Sequence, residues 1–294
     1  DGTTTQRTTQ VKVLKGAYPG TTYLGDNPSN PVIAVSSGSN FSLALTQDGS
    51  VYAFGNNSSG QLGDGTRTQR TAPVRVIKGS YTGNTYLGDD ADNPIVAIAA
   101  GDYHSLALAV DGTIYSFGFN QYGALGNGGA TTNATTTPQR VQDGNNYFGT
   151  TYLGDNPRNP VVKIAAGYRY SLALTLDGSV FGFGSNGNGQ LGNGGYTSGV
   201  TPLPRRVLDG TYNGTMYLGD NPNNPIIDIA AGYSHSMALA SDGTVYGFGY
   251  NNNGQLGDYT TTQRTTPIRT LKGAYSGTTY LGDEASNPIV SIAT

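Results

Sequence analysis

The chain contains no cysteine. A disulfide framework and a thiolate metal site are therefore both excluded. Charged residues are only 12% of the 294, and the net charge is −3. Nothing in that balance supplies the basic face on which nucleic-acid binding rests, so no nucleic-acid partner is expected. No apolar run approaches the length of a membrane-spanning helix, so no membrane insertion is expected. No segment sustains an apolar period of 3.6 residues, which predicts little or no helix. Histidine occurs only at His104 and His235.

What the chain does have is glycine, 45 of 294 residues, with threonine, asparagine, serine and tyrosine at its polar positions. Such a composition suits strands and tight turns. With few charges and no cysteine, it also points to an extracellular or cell-surface setting. Acceptor triplets of the form Asn-x-Ser/Thr begin at Asn40, Asn56, Asn57, Asn133 and Asn213. In a chain so rich in asparagine and threonine, chance accounts for them.

One stretch recurs four times. Residues 38–63 read GSNFSLALTQDGSVYAFGNNSSGQLG, and the stretch returns from Gly101, Gly167 and Gly232. A fixed period marks an array of supersecondary units. Each copy reads as a hairpin: an alternating run, an Asp-Gly pair, then a second run. Asp48-Gly49, Asp111-Gly112, Asp177-Gly178 and Asp242-Gly243 predict two-residue turns with positive φ. Between the hairpins lies a second element, present five times. It comprises a strand (Val74 to Ile77 in the second copy), a Gly/Tyr-rich excursion and a short apolar strand (Ile95 to Ala99). The Asn-Pro ahead of that last strand bars a helix. Each unit then supplies about four strands, or one antiparallel sheet. The units run over 1–37 (partial), 38–100, 101–166, 167–231 and 232–294. Asp1 aligns with Asp258 and Thr294 with Ser37, so both ends read as cuts within a longer repetitive polypeptide.

Gly232, Ser236, Ala238, Asp242, Gly243, Val245, Tyr246, Gly249, Asn251, Gly254, Gln255, Leu256 and Gly257 carry a pattern. It resembles the repeat of the regulator-of-chromosome-condensation (RCC1-like) family. That resemblance implies an all-β fold, a β-propeller-type array of four-stranded antiparallel blades. About four and a half repeats are present, where the family's ring usually closes with seven, so the array is expected to be part of a ring or to be open. The family's frequent tryptophan is replaced by Phe54, Phe117, Phe183 and Phe248. Exchange factors of the family use non-repeated elements projecting from the ring, and no such insertion is found. The likeness of the copies fits a bacterial, exported branch better than the nuclear one.

The candidate sites follow the repeat. Asp26 with Asn30, Asp89 with Asn93, Asp155 with Asn159, Asp220 with Asn224 and Asp283 with Asn287 recur as Asp-x-x-x-Asn-Pro. Their oxygens could ligate calcium, with Asp89, Asp90 and Asp92 making the second copy the richest. Turn chemistry is the alternative. Tyr18/Tyr23, Tyr81/Tyr86, Tyr147/Tyr152, Tyr212/Tyr217 and Tyr275/Tyr280 could form a binding rim or could seal adjacent units by packing. Lys12, Arg75, Arg140, Arg206 and Arg269 form a basic ladder, expected to be solvated or to pair with aspartates between units. His104 and His235 share a repeat position with Phe41 and Tyr170; the slot wants a flat ring rather than an imidazole. No nucleophile-base pair, phosphate-cradling loop or carboxylate dyad stands outside the pattern, which argues against an enzyme and against any cofactor beyond calcium.

The expected role is a structural or adhesive scaffold at the cell surface, its partners being proteins or further copies of itself. Two alternatives stand beside it. One is a propeller that binds a protein partner through one ring face, as an inhibitor or exchange factor does; the other is the protomer of an open extracellular filament. A partner-binding ring should cluster non-repeating residues on one face, whereas a scaffold should keep its faces uniform.

Overall fold

A computed structural model describes residues 1–83, 85–144, 149–212, 214–274 and 279–294, without the side chains of 197–199. Among the described residues there are sixteen strands and no helix. The first sheet comprises β1 (Val32–Ser37), β2 (Phe41–Thr46), β3 (Val51–Gly55) and β4 (Arg70–Arg75). The second comprises β5 (Ile95–Ala100), β6 (His104–Ala109), β7 (Ile114–Asn120) and β8 (Thr131–Arg140). The third comprises β9 (Val161–Ala166), β10 (Tyr170–Thr175), β11 (Val180–Asn186) and β12 (Thr197–Arg206). The fourth comprises β13 (Ile226–Ala231), β14 (His235–Ala240), β15 (Val245–Gly249) and β16 (Arg264–Arg269). Every sheet is an antiparallel meander whose strands pair in chain order. The four-stranded blades expected from the repeat are therefore present.

The Leu-Ala-Leu alternation sets how the sheets stack. Strand side chains point to opposite faces in turn. Leu43 and Leu45 of β2 share a core with Ala107 and Ala109 of β6 and with Tyr115 and Phe117 of β7. Leu106 and Leu108 meet Ala173, Phe181 and Phe183 in the same way. Leu172 and Leu174 meet Ala238, Tyr246 and Phe248. The leucine face of one sheet thus packs on the alanine and aromatic face of the next. Strands in these cores are buried on both faces, and each fully buried leucine contributes about 1.5–3 kcal/mol.

Strands β1, β5, β9 and β13 pack against one another in succession, which makes them the innermost strands around a common axis. Their turns into the second strands begin at Gly38, Gly101, Gly167 and Gly232. A Cβ on Gly38 would lie 2.3 Å from the Gly101 carbonyl oxygen; on Gly101 it would lie 2.6 Å from that of Gly167. On Gly167 it would lie 2.6 Å from that of Gly232. Only glycine lets the backbones come this close. The repeat's serine completes the contact from the second strand. The Ser105 hydroxyl donates to the Gln61 carbonyl (2.7 Å), Ser171 to Ala124 (2.8 Å) and Ser236 to Gln190 (2.7 Å). Each of these bonds crosses from one blade to the loop of the blade before.

The Asp-Gly turns differ from expectation. They are three-residue loops, not two-residue ones. The Thr46 N–H donates to the Ser50 carbonyl and the Gly49 N–H to the Thr46 carbonyl, with Gly49 at φ +86°. That is a type I turn closed by a glycine bulge. Asp48 has no positive φ; its carboxylate instead accepts the Ser50 N–H at 3.0 Å. Side-chain capping, rather than backbone permissiveness, explains the aspartate.

The meander divides the array into two ends. The β1–β2 type turns and the β3–β4 type loops lie at one, here called the turn end. The Asp-Gly turns and the blade-to-blade excursions lie at the other, the hairpin end. The repeat as it reads from Gly38 begins after β1, so each period supplies three strands to one sheet and the first strand of the next.

Ser171→Ala should lower stability by about 1–3 kcal/mol, because it leaves the buried Ala124 carbonyl without its donor. Gly101→Ala should cost at least as much by overpacking. Urea unfolding of each variant against the wild type measures both.

Candidate functional site

The hairpin end holds the five-fold residues, and it uses them internally. Both oxygens of Asp26 accept protein donors: the Thr21, Thr22 and Tyr23 N–H groups and the Thr21 hydroxyl, at 2.7–3.0 Å. These bonds, led by the Tyr23 N–H, hold its carboxyl well below the usual range. Asp89 accepts the Thr85 and Tyr86 N–H groups, and Asp283 those of Thr279 and Tyr280. Asp155 and Asp220 pair with Arg140 and Arg206. Asn30, Asn93, Asn159 and Asn224 accept N–H groups from the Asp-Gly turns at Asp48, Asp111, Asp177 and Asp242. Asp90 accepts the Asp92 N–H, and Asn287 closes a turn onto Glu284. The proposed calcium ligands are thus directed at separate protein donors. Among the described residues, no group of three or more His, Cys, Asp or Glu side chains comes together to hold a metal ion.

The tyrosine pairs split into two jobs. Tyr18, Tyr81 and Tyr212 are buried, with edge-to-face contacts to Tyr52, Tyr115 and Tyr246 at 5.7, 5.4 and 5.4 Å. Their hydroxyls donate to the carbonyls of Asn30, Asn93 and Asn224. A binding rim is therefore replaced by packing at these three, since a buried ring offers no surface. Tyr147 and Tyr275 lie outside the described residues. Tyr23, Tyr86, Tyr152, Tyr217 and Tyr280 are half-buried beneath the basic ladder. Lys12, Arg75, Arg140, Arg206 and Arg269 sit over those rings at 5.0, 4.3, 4.0, 4.3 and 5.1 Å. The ladder, expected to be solvated or to pair with aspartates, is a column of cation–π contacts, and Arg140 and Arg206 do pair with aspartates.

His104 is buried, with Nε2 2.9 Å from the Ser171 hydroxyl of the next blade. Burial pushes its pKa down to about 4. Tyr170 reaches across in the same sense, its hydroxyl donating to the His235 carbonyl. The slot serves the blade interface.

The turn end is different in kind. The two positions after the repeat's glycine are Ser39-Asn40, Asp102-Tyr103, Tyr168-Arg169 and Tyr233-Ser234. The end of β7 and the loop beyond it add Phe119 and Tyr122. Their side chains converge. Arg169 donates to the Tyr122 hydroxyl (2.8 Å) and the Tyr168 hydroxyl (2.7 Å). Its guanidinium lies 4.7 Å from the Tyr122 ring centre and 4.4 Å from that of Tyr168. Tyr168 stacks on Tyr233 at 4.1 Å, and Tyr103 lies 6.0 Å from Phe119 and 6.4 Å from Tyr168. Tyr233 is 67% exposed. Burial raises the Asp102 carboxyl, and the Asp102 charge in turn raises the Tyr103 hydroxyl. Three blades thus contribute a single aromatic patch around one arginine. Aligning the repeats emphasises what they share; subtracting the shared pattern is the signal that exposes this set.

Four antiparallel four-stranded blades arranged around an axis, with variable residues at one end, define a β-propeller-type repeat protein. The chain belongs to the RCC1-like domain family, whose model matches residues 2–283. It is 32% identical over 250 residues to a probable E3 ubiquitin-protein ligase HERC4 of Rattus norvegicus, covering 84% of this chain and 20% of that protein. It is 32% identical over 229 residues to the Protein RCC2 homolog of Danio rerio, covering 74% of this chain and 41% of that one. The chain thus spans a fifth to two fifths of these relatives. The structure of Prp20p from Saccharomyces cerevisiae superposes with a TM-score of 0.61 at 24% identity, over 81% of this chain and 50% of that one. These relatives are eukaryotic and lend no support to a bacterial exported branch.

A pH dependence follows from His104. Its folded pKa lies below the ordinary 6.5, so the unfolded chain binds the proton first. Stability should be full above about pH 6.5 and fall as pH drops towards 4, by on the order of 3 kcal/mol. Urea midpoints at pH 7 and pH 4.5 should differ less in His104→Phe than in the wild type.

Proposed function

We propose that the turn end of this propeller is the docking face for a protein partner. One observation carries the reading: residues that break the repeat gather at one end, around Arg169, while the opposite end repeats itself. Tyrosine and arginine dominate the energetic centres of protein interfaces. Tyrosine supplies broad contact area with a polar tip and little side-chain entropy to lose. The scaffold reading needed uniform faces, and the turn end is not uniform.

Relatives support a protein as the partner class. Prp20p is described with binding properties to Gsp1p and histones, and a further structure has Kap60 bound to yeast RCC1 (Prp20). The ligase activity of the HERC4 relatives is not carried over, because the match covers a fifth of their length.

The test compares the two ends. Wild type, Arg169→Glu, Tyr233→Ala and the hairpin-end variant Arg158→Glu are immobilised and exposed to extract of the source organism. Captured proteins are quantified by mass spectrometry, and urea midpoints confirm folding. The turn-end variants should weaken capture roughly 30-fold, the effect of losing about 2 kcal/mol at an interface centre. Arg158→Glu should capture as the wild type does. Equal capture by all four, or loss confined to Arg158→Glu, would overturn the reading.

A further inference from the structure

At the centre of the turn end the four inner turns enclose an open recess of about 310 Å³. Its floor is glycine backbone with the methyl groups of Ala100, Ala166 and Ala231. Tyr168, Tyr233, Asp102 and His235 also line it, with Ser37, Ser39 and Thr294 at its edge. Asp102 is the one charged side chain among the described lining residues. No cation stands within ion-pair distance of it among the described residues. Burial lowers the His235 pKa, which disfavours its charged form.

We infer that this recess receives an arginine side chain from the docked partner, stacked on the exposed Tyr233 ring and neutralised by Asp102. The inference rests on the docking-face reading and specifies the chemistry of that face. Several features support it. A carboxylate partly removed from water gains more from a cation than an exposed one does, because the local dielectric is lower. Tyrosine faces attract guanidinium through the ring quadrupole, and arginine is the usual choice. The chain's own Arg169 already places its guanidinium 4.4 Å from Tyr168 at the rim. The volume lies at the small end of ligand pockets, which suits one long side chain better than a larger free ligand.

The experiment titrates the intact chain with two blocked residues, N-acetyl-arginine methylamide and N-acetyl-citrulline methylamide. They share a shape and differ in charge. Amide chemical shifts of Gly101, Tyr168 and Tyr233 are followed. The arginine probe should saturate these shifts, and citrulline should bind at least tenfold more weakly. Asp102→Asn should weaken arginine at least tenfold while its urea midpoint stays at or above the wild-type value. Raising the salt concentration should weaken arginine and leave citrulline unchanged. Equal binding of the two probes, shifts elsewhere in the molecule, or an Asp102→Asn variant that binds arginine as the wild type does would overturn the proposal. Partner capture separates this failure from that of the parent reading. Capture lost in Arg169→Glu but kept in Asp102→Asn overturns the arginine recess and leaves the docking face standing. Capture indifferent to both overturns both.

Discussion

The structure depends on how closely one sheet can approach the next at its inner turn. Gly38, Gly101 and Gly167 each face a neighbouring glycine carbonyl at a distance no side chain tolerates. Where the backbones meet, Ser105, Ser171 and Ser236 each tie a strand to the loop of the blade before. Further out, leucine on one face and alanine with aromatics on the other keep the spacing. The blade backbones approach most closely through their first and second strands and fan out beyond them. That fan brings turns about 65 residues apart in the chain to one place. Tyr103, Tyr168 and Tyr233 become neighbours only because the glycines beneath them are bare.

The two ends of the blades carry different duties. At the hairpin end, Asp26 and its counterparts bind backbone N–H groups, the asparagines bind the Asp-Gly turns, and tyrosines pack under arginines. Each such group has its partner within the chain, and each recurs because the joint between blades recurs. At the turn end the inner turns rest on glycine and serine, and the outer loops on the buried Asn57, Asn120, Asn186 and Asn251, each of which accepts a leucine N–H. The two positions after the inner-turn glycine are free to vary, and there the copies diverge.

Much of the fold was legible in the repeat. Period, alternation and the Asp-Gly pairs placed four strands per unit, since strand faces and turns are local properties. The turn type was misjudged, because aspartate and glycine look alike as turn formers until the hydrogen bonds show which one takes the positive φ. The candidate site was legible only in reverse. Five-fold recurrence drew attention to Asp26, Tyr18 and Arg75, yet recurrence reports what every blade joint needs. The cation–π column was hidden because Arg75 and Tyr86 belong to different segments. The turn-end cluster was hidden for the same reason, and because single departures from a pattern carry no weight until the axis gathers them.

One feature of the chain path governs how this molecule comes apart. Each period read from Gly38 puts three strands in one sheet and its last in the following one. The covalent chain therefore enters every neighbouring blade through its innermost strand, the one clamped by glycine contacts. A blade cannot loosen alone, since fraying it pulls on the inner edge of its successor. Unfolding should spread between blades as a coupled event, and tension applied along the chain meets its resistance near the axis rather than at the rim.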